Sequence, residues 1–194
     1  MCDPAPALPL SAPLGRGRLA RLSHGVMRAE AALAASLTAL IFALMLASAL
    51  MRFLQQPLIQ ADELAVHLMV CLAFLGASLA VAQKSHMTIA LLPETLPPRA
   101  ALWLQLATDL AVLSFLLIMA LVIWNWLDLP GLIRAGSASA YEAASFNFLY
   151  SDPTQTLGLR KIWFWLVMPL TTLTSVLHIL AQLGADIAAL RSRS

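Results

Sequence analysis

The sequence predicts an all-α polytopic membrane protein with four transmembrane helices, and three observations carry that prediction. Of its 194 residues, 60% are hydrophobic and only 11% are charged, whereas a soluble domain carries about 25% charged residues. The few charges leave four long apolar gaps. The five tryptophans, Trp103, Trp124, Trp126, Trp163 and Trp165, all fall near the ends of those gaps, where an indole ring finds both apolar surroundings and water. Twelve basic residues against 10 acidic ones give a net charge of +2. That balance offers no basis for a nucleic-acid partner.

Residues 1–27 are rich in Pro, Ala and Arg and read as a mobile, basic tail suited to anionic lipid. The first gap, 31–51, holds 21 uncharged residues between Glu30 and Arg52. Ala47-Ser48-Ala49 has the look of a signal-peptidase site. The apolar run before it is longer than a signal sequence needs, so it reads as a retained span. The second gap, 64–83, holds 20 residues between Glu63 and Lys84, and the third, 100–127, holds 28 interrupted once by Asp109. The fourth, 162–185, holds 24 between Lys161 and Asp186, and 191–194 form a C-terminal tail. A helix needs about 20 residues to cross a hydrocarbon core of ~30 Å. Each gap supplies one crossing and none supplies two.

Orientation follows from the basic residues. Arg16, Arg18, Arg21, Arg28, Lys84, Arg99, Arg191 and Arg193 fall on one side, against Arg52, Arg134, Arg160 and Lys161 on the other. Both termini are therefore expected in the cytoplasm. The loop at 84–99 is too short to span and too apolar to be wet, which predicts an amphipathic segment along the cytoplasmic interface. Pro97 and Pro98 suit the first turn of span three, where a missing N–H costs nothing. Loop 128–161 is the one sizeable outward element. Cys2 lies in the tail and Cys71 inside span two, so no disulfide is expected.

Span one carries Ala31, Ala35, Ala39, Ala43 and Ala47, and span two adds Ala73/Ala77 and Gly76/Ala80. Small residues at four-residue spacing let helix backbones approach closely, either within the chain or toward another subunit. Asp109 and His178 lie about 15 Å and about 11 Å from the cytoplasmic end by helical rise. They form a candidate intramembrane polar pair, with a structural hydrogen bond favoured over a proton relay. His67 and His178 lie ~6 Å and ~25 Å from the opposite end, too far apart in depth to share a haem iron. No phosphate loop, HExxH, GxSxG or CxxC occurs, so neither catalysis nor a metal or cofactor is expected from this chain. A complete carrier would show broken helices in paired positions, and Pro169 stands alone. An accessory membrane subunit is the reading left.

The stretch ADELAVHLMVCLAFLGASLAVAQKSHMTIALL, residues 61–92, resembles the small membrane subunit of the tripartite ATP-independent periplasmic (TRAP) transporters. The likeness rests on Glu63 before span two, Phe74-Leu75-Gly76 within it and His86 after it, and the four-span layout extends it over roughly 28–190. The sequence departs from the usual pattern at Gln60, His67 and Ala90. The resemblance implies a scaffold subunit in the bacterial inner membrane. Its expected partners are a large elevator subunit, which would carry the sodium sites, and a periplasmic binding protein delivering a carboxylate or sulfonate. It implies structural roles for Glu63, Phe74, Gly76 and His86. The alternative is an independent four-helix exporter acting as a homodimer. Such exporters place a carboxylate inside the first span, and none lies between Glu30 and Arg52.

Overall fold

The computed structural model describes residues 18–83 and 97–192 and folds them into seven helices. They are α1 (Arg18–Phe53), α2 (Ile59–Ala82), α3 (Pro98–Leu127), α4 (Leu129–Ala135), α5 (Ala138–Ser145), α6 (Ile162–Trp165) and α7 (Val167–Ser192). Four stretches are long and apolar enough to cross a membrane: Arg18–Phe53, Ile59–Ala82, Trp103–Ala135 and Ile162–Ala188. The predicted four-helix class holds. Expectations for residues 1–17 and 84–96, including the interfacial segment and His86, fall outside the described residues.

The fourth span is the hub. α7 packs against α1, α2 and α3, and α1 also packs against α2. His178 and Ile179 at its centre are wholly buried. Ile179 joins Val81 of α2 and Leu116 of α3 in one apolar cluster. The outer surface keeps large apolar side chains such as Phe42, Leu46, Phe115 and Leu121, as expected where lipid or another membrane chain is the solvent.

The largest difference from expectation is the start of the first helix. α1 begins at Arg18 and runs 36 residues, so residues 18–27, expected in a mobile tail, are helical. The cause is a face that has something to pack on. Ala20, Ser23 and Glu30 are buried and Met27 is half-buried, at the three- and four-residue steps of one helical stripe. Arg21, His24 and Arg28 point outward on the other side. At 1.5 Å per residue α1 is about 54 Å long, well beyond a ~30 Å core.

Pro97 caps α3 and Pro98 opens it, as the sequence indicates. Where α3 ends, Asp128 takes a left-handed conformation (φ 38°) and caps α4 by accepting from the Gly131 N–H at 3.1 Å. A Cβ on residue 131 would stand 2.1 Å from the Asp128 carboxylate, so only glycine leaves the cap undisturbed. Tyr141 donates to the other Asp128 oxygen at 3.1 Å, tying α5 back to this corner. Tyr150 donates to the Leu127 carbonyl. Burial pushes the Tyr150 hydroxyl up in pKa, which keeps its proton in place for that bond. Below this corner Ile123, Leu127, Leu149 and Ile162 form a core with Trp126 and Trp165 against it, their rings 5.5 Å apart.

The fourth span is interrupted at Leu166, between α6 and α7. Pro169 lacks an N–H and its ring crowds the carbonyl of residue 165, so the break falls one turn ahead of it.

Candidate functional site

Two polar clusters join the spanning helices to one another and to the loop that precedes the last of them. The first lies inside, where α1, α2 and α7 meet. Glu30 accepts from the Ser78 hydroxyl at 2.9 Å through one carboxylate oxygen and meets His178 Nε2 at 3.2 Å through the other. His178 Nδ1 lies 2.7 Å from Ser23 Oγ. Both ring nitrogens of His178 thus have a partner, one on Glu30 and one on Ser23. Thr174 stands 3.0 Å from Ser78. Nearer the chain termini, Gln182 of α7 donates to the Val81 and Ala82 carbonyls at 2.7 and 3.1 Å. These carbonyls belong to the last turn of α2.

The second cluster fastens the opposite end. Glu63, near the start of α2, receives the backbone N–H groups of Gln155 and Thr156 at 2.6 Å and of Leu157 at 3.1 Å. The Thr156 hydroxyl donates to it as well. The segment is shaped by a turn in which Thr154 N–H donates to the Leu159 carbonyl at 2.7 Å, with a Lys161–Asp152 ion pair of 2.9 Å at its base. Beside it Asp62 takes the Arg52 guanidinium and, at 2.5 Å, the Ser48 hydroxyl, closing the short α1–α2 connection. His67 stacks on Phe164 at 4.5 Å between ring centroids, with Nδ1 2.8 Å from the Glu63 carbonyl.

The expected partners Asp109 and His178 stand in different surroundings. Both nitrogens of His178 are taken by Ser23 and Glu30, and Asp109 is buried in α3. The reason is the longer α1, which brings a carboxylate and a hydroxyl to α7 that the expected span boundary had left outside. Phe74 is half-buried, and Gly76 is exposed with open space beside it. Ala35, Ala39 and Ala43 point away from the rest of the chain, as do Ala73 and Ala77, while Ala80 is half-buried. The inward face of α1 is instead Ala34, Leu37, Ile41, Leu44 and Ser48.

Sequence reasoning missed Glu30, Ser78 and Gln182 as interhelical ties. A signal was present for Glu30: the 20, 23, 27, 30 spacing marks it as the last member of an inward stripe. Nothing in the sequence pairs Glu63 with residues 155–157, because that contact joins points more than 90 positions apart. Among the described residues no group of three or more His, Cys, Asp or Glu side chains is arranged to hold a metal. What the two clusters do chemically is fasten helices.

The family model described as "Tripartite ATP-independent periplasmic transporters, DctQ component" matches residues 41–189. The chain belongs to that family. No curated protein and no solved structure matches it. The match makes this a small component of a TRAP transporter, a transporter family rather than an enzyme family. It spans the Glu63 cluster, Gly76 and His178, and leaves Glu30 and Ser23 just outside its start. Glu30 also lies inside α1, so the missing first-span carboxylate no longer argues against an independent exporter. Family membership carries that decision instead.

Proposed function

We propose that this TRAP component is the stationary scaffold subunit of a sodium-coupled uptake system for an organic acid, a carboxylate or sulfonate. In this reading it supports a large elevator subunit and helps dock a periplasmic binding protein. The observation that carries it is how the polar groups between the helices are used. Glu30, Ser78, His178 and Gln182 all bind other parts of the same chain, as suits a rigid support. The broad apolar surface of α1 and α3 suits a chain surrounded by lipid and a membrane partner.

The test is a mild-detergent pull-down of the tagged protein from its native membrane, followed by mass spectrometry. A large multi-span subunit at about equal stoichiometry is the expected result. A homodimer alone would replace this reading with the independent exporter.

The same reading places the chain in the bacterial inner membrane with both termini in the cytoplasm. Eight basic residues on the terminal side against four on the other support that orientation. It puts Glu63 and loop 128–161 on the periplasmic face, where a binding protein arrives. A phosphatase fused to the C-terminus should be inactive, and periplasmic activity there would reverse the topology.

A further inference from the structure

Between α2 and α3 the outer surface is not a ridge but a trough. Both helices lean on α7, and the space left between them is a groove of about 580 Å³. Its α2 wall is built from Ala77 and Ala80, its α3 wall from Thr108, Ala111 and Phe115, and Ser175 of α7 lines its floor. None of the described residues that line it is charged. Phe115 stands exposed at the rim.

Ser175 sets this groove apart from an ordinary lipid-facing furrow. It is 4% exposed, and among the described residues its hydroxyl makes no hydrogen bond, unlike Thr171, Thr172 and Thr174 of the same helix. A hydroxyl at membrane depth, with no water to bond, calls for a partner. An acyl chain has no atom to offer it. A second copy of this chain fits no better. Groove against groove about a two-fold axis leaves both troughs unfilled, and groove against some other face does not close into a dimer. What fits is a convex rod with polar atoms of its own. Alanine walls let such a rod bring its backbone close.

We infer that the α2–α3 groove seats one transmembrane helix of the large membrane subunit, which presents a hydrogen-bond acceptor to Ser175. The inference rests on the scaffold reading above and adds the face through which the scaffold is gripped. It assigns Ala77, Ala80 and Ala111 to close approach between subunits. The long alanine series of α1 faces a different direction and is left to lipid.

The test uses the full chain co-expressed with the large membrane subunit and purified in mild detergent. Ala111→Trp fills the groove, and Leu46→Trp changes the outward face of α1 as a control. Ala111→Trp should lower the recovered large subunit by about tenfold or more, with Leu46→Trp remaining equimolar. A photoreactive benzoylphenylalanine at Thr108, and separately at Phe42, tests the same point without filling the groove. Position 108 should give an adduct with the large subunit and position 42 should not. If the unmodified chain binds the large subunit while position 108 labels only lipid or a second copy, the groove assignment is overturned and the scaffold reading stands. Full recovery with Ala111→Trp would overturn it equally. If the unmodified chain recovers no large subunit at all, both fall.

Discussion

Replacing Glu30 with leucine should destabilise the detergent-solubilised protein by about 2–4 kcal/mol, two interhelical bonds at ~1–2 kcal/mol each. The carboxylate binds α2 through Ser78 and α7 through His178, so one truncation unties two helix pairs. His178 is wholly buried and cannot turn to solvent for a replacement, which places the effect toward the upper end. Glu30→Gln keeps a carbonyl to accept with and should cost less. The decisive comparison is a double-mutant cycle. Glu30→Leu and His178→Leu should each destabilise strongly, and the double variant should fall short of their sum by about 1 kcal/mol or more. Stabilities that add within about 0.5 kcal/mol would mean that the two residues act independently. The cycle can be read by thermal unfolding in a mild detergent followed through tryptophan fluorescence.

The reach of sequence reasoning in this protein follows the physics of each signal. The presence of four spans was legible because a hydrocarbon core demands a long apolar run, and four such runs stand in the chain. Pro97 and Pro98 were legible because proline at a helix start has one local meaning. Span one was misread at its start for an equally definite reason. A charge count ends a span at Glu30, but a helix ends only where its backbone loses partners, and α7 meets α1 as far back as Ser23. The polar ties were the least legible. Glu30 with His178, and Glu63 with Gln155 to Leu157, are contacts between distant points that depend on how helices are rotated about their axes. A mean-hydropathy profile carries no information about rotation. Small residues show the same limit: alanines at four-residue spacing mark a face that can be approached, yet on α1 that face points away from the bundle.

Glu63→Ala should release the segment 154–159 while leaving the four spans in place. The carboxylate gathers three successive backbone N–H groups and the Thr156 hydroxyl. Hydrogen exchange followed by mass spectrometry on a peptide covering 153–160 reads the effect directly. The amides of Gln155, Thr156 and Leu157 should exchange about tenfold faster or more in the variant, with α3 and α7 unchanged. Glu63→Gln keeps one acceptor oxygen and should give a smaller increase, while Glu63→Asp, one methylene shorter, should behave nearly like alanine. If the alanine variant keeps full protection, the turn is held by its own Thr154–Leu159 bond and the Lys161–Asp152 pair, and Glu63 merely rests against it. If protection is lost and the binding protein also docks more weakly, then a residue of span two controls the shape of the surface that the incoming partner meets. Loss of protection with unchanged docking would confine Glu63 to ordering the loop.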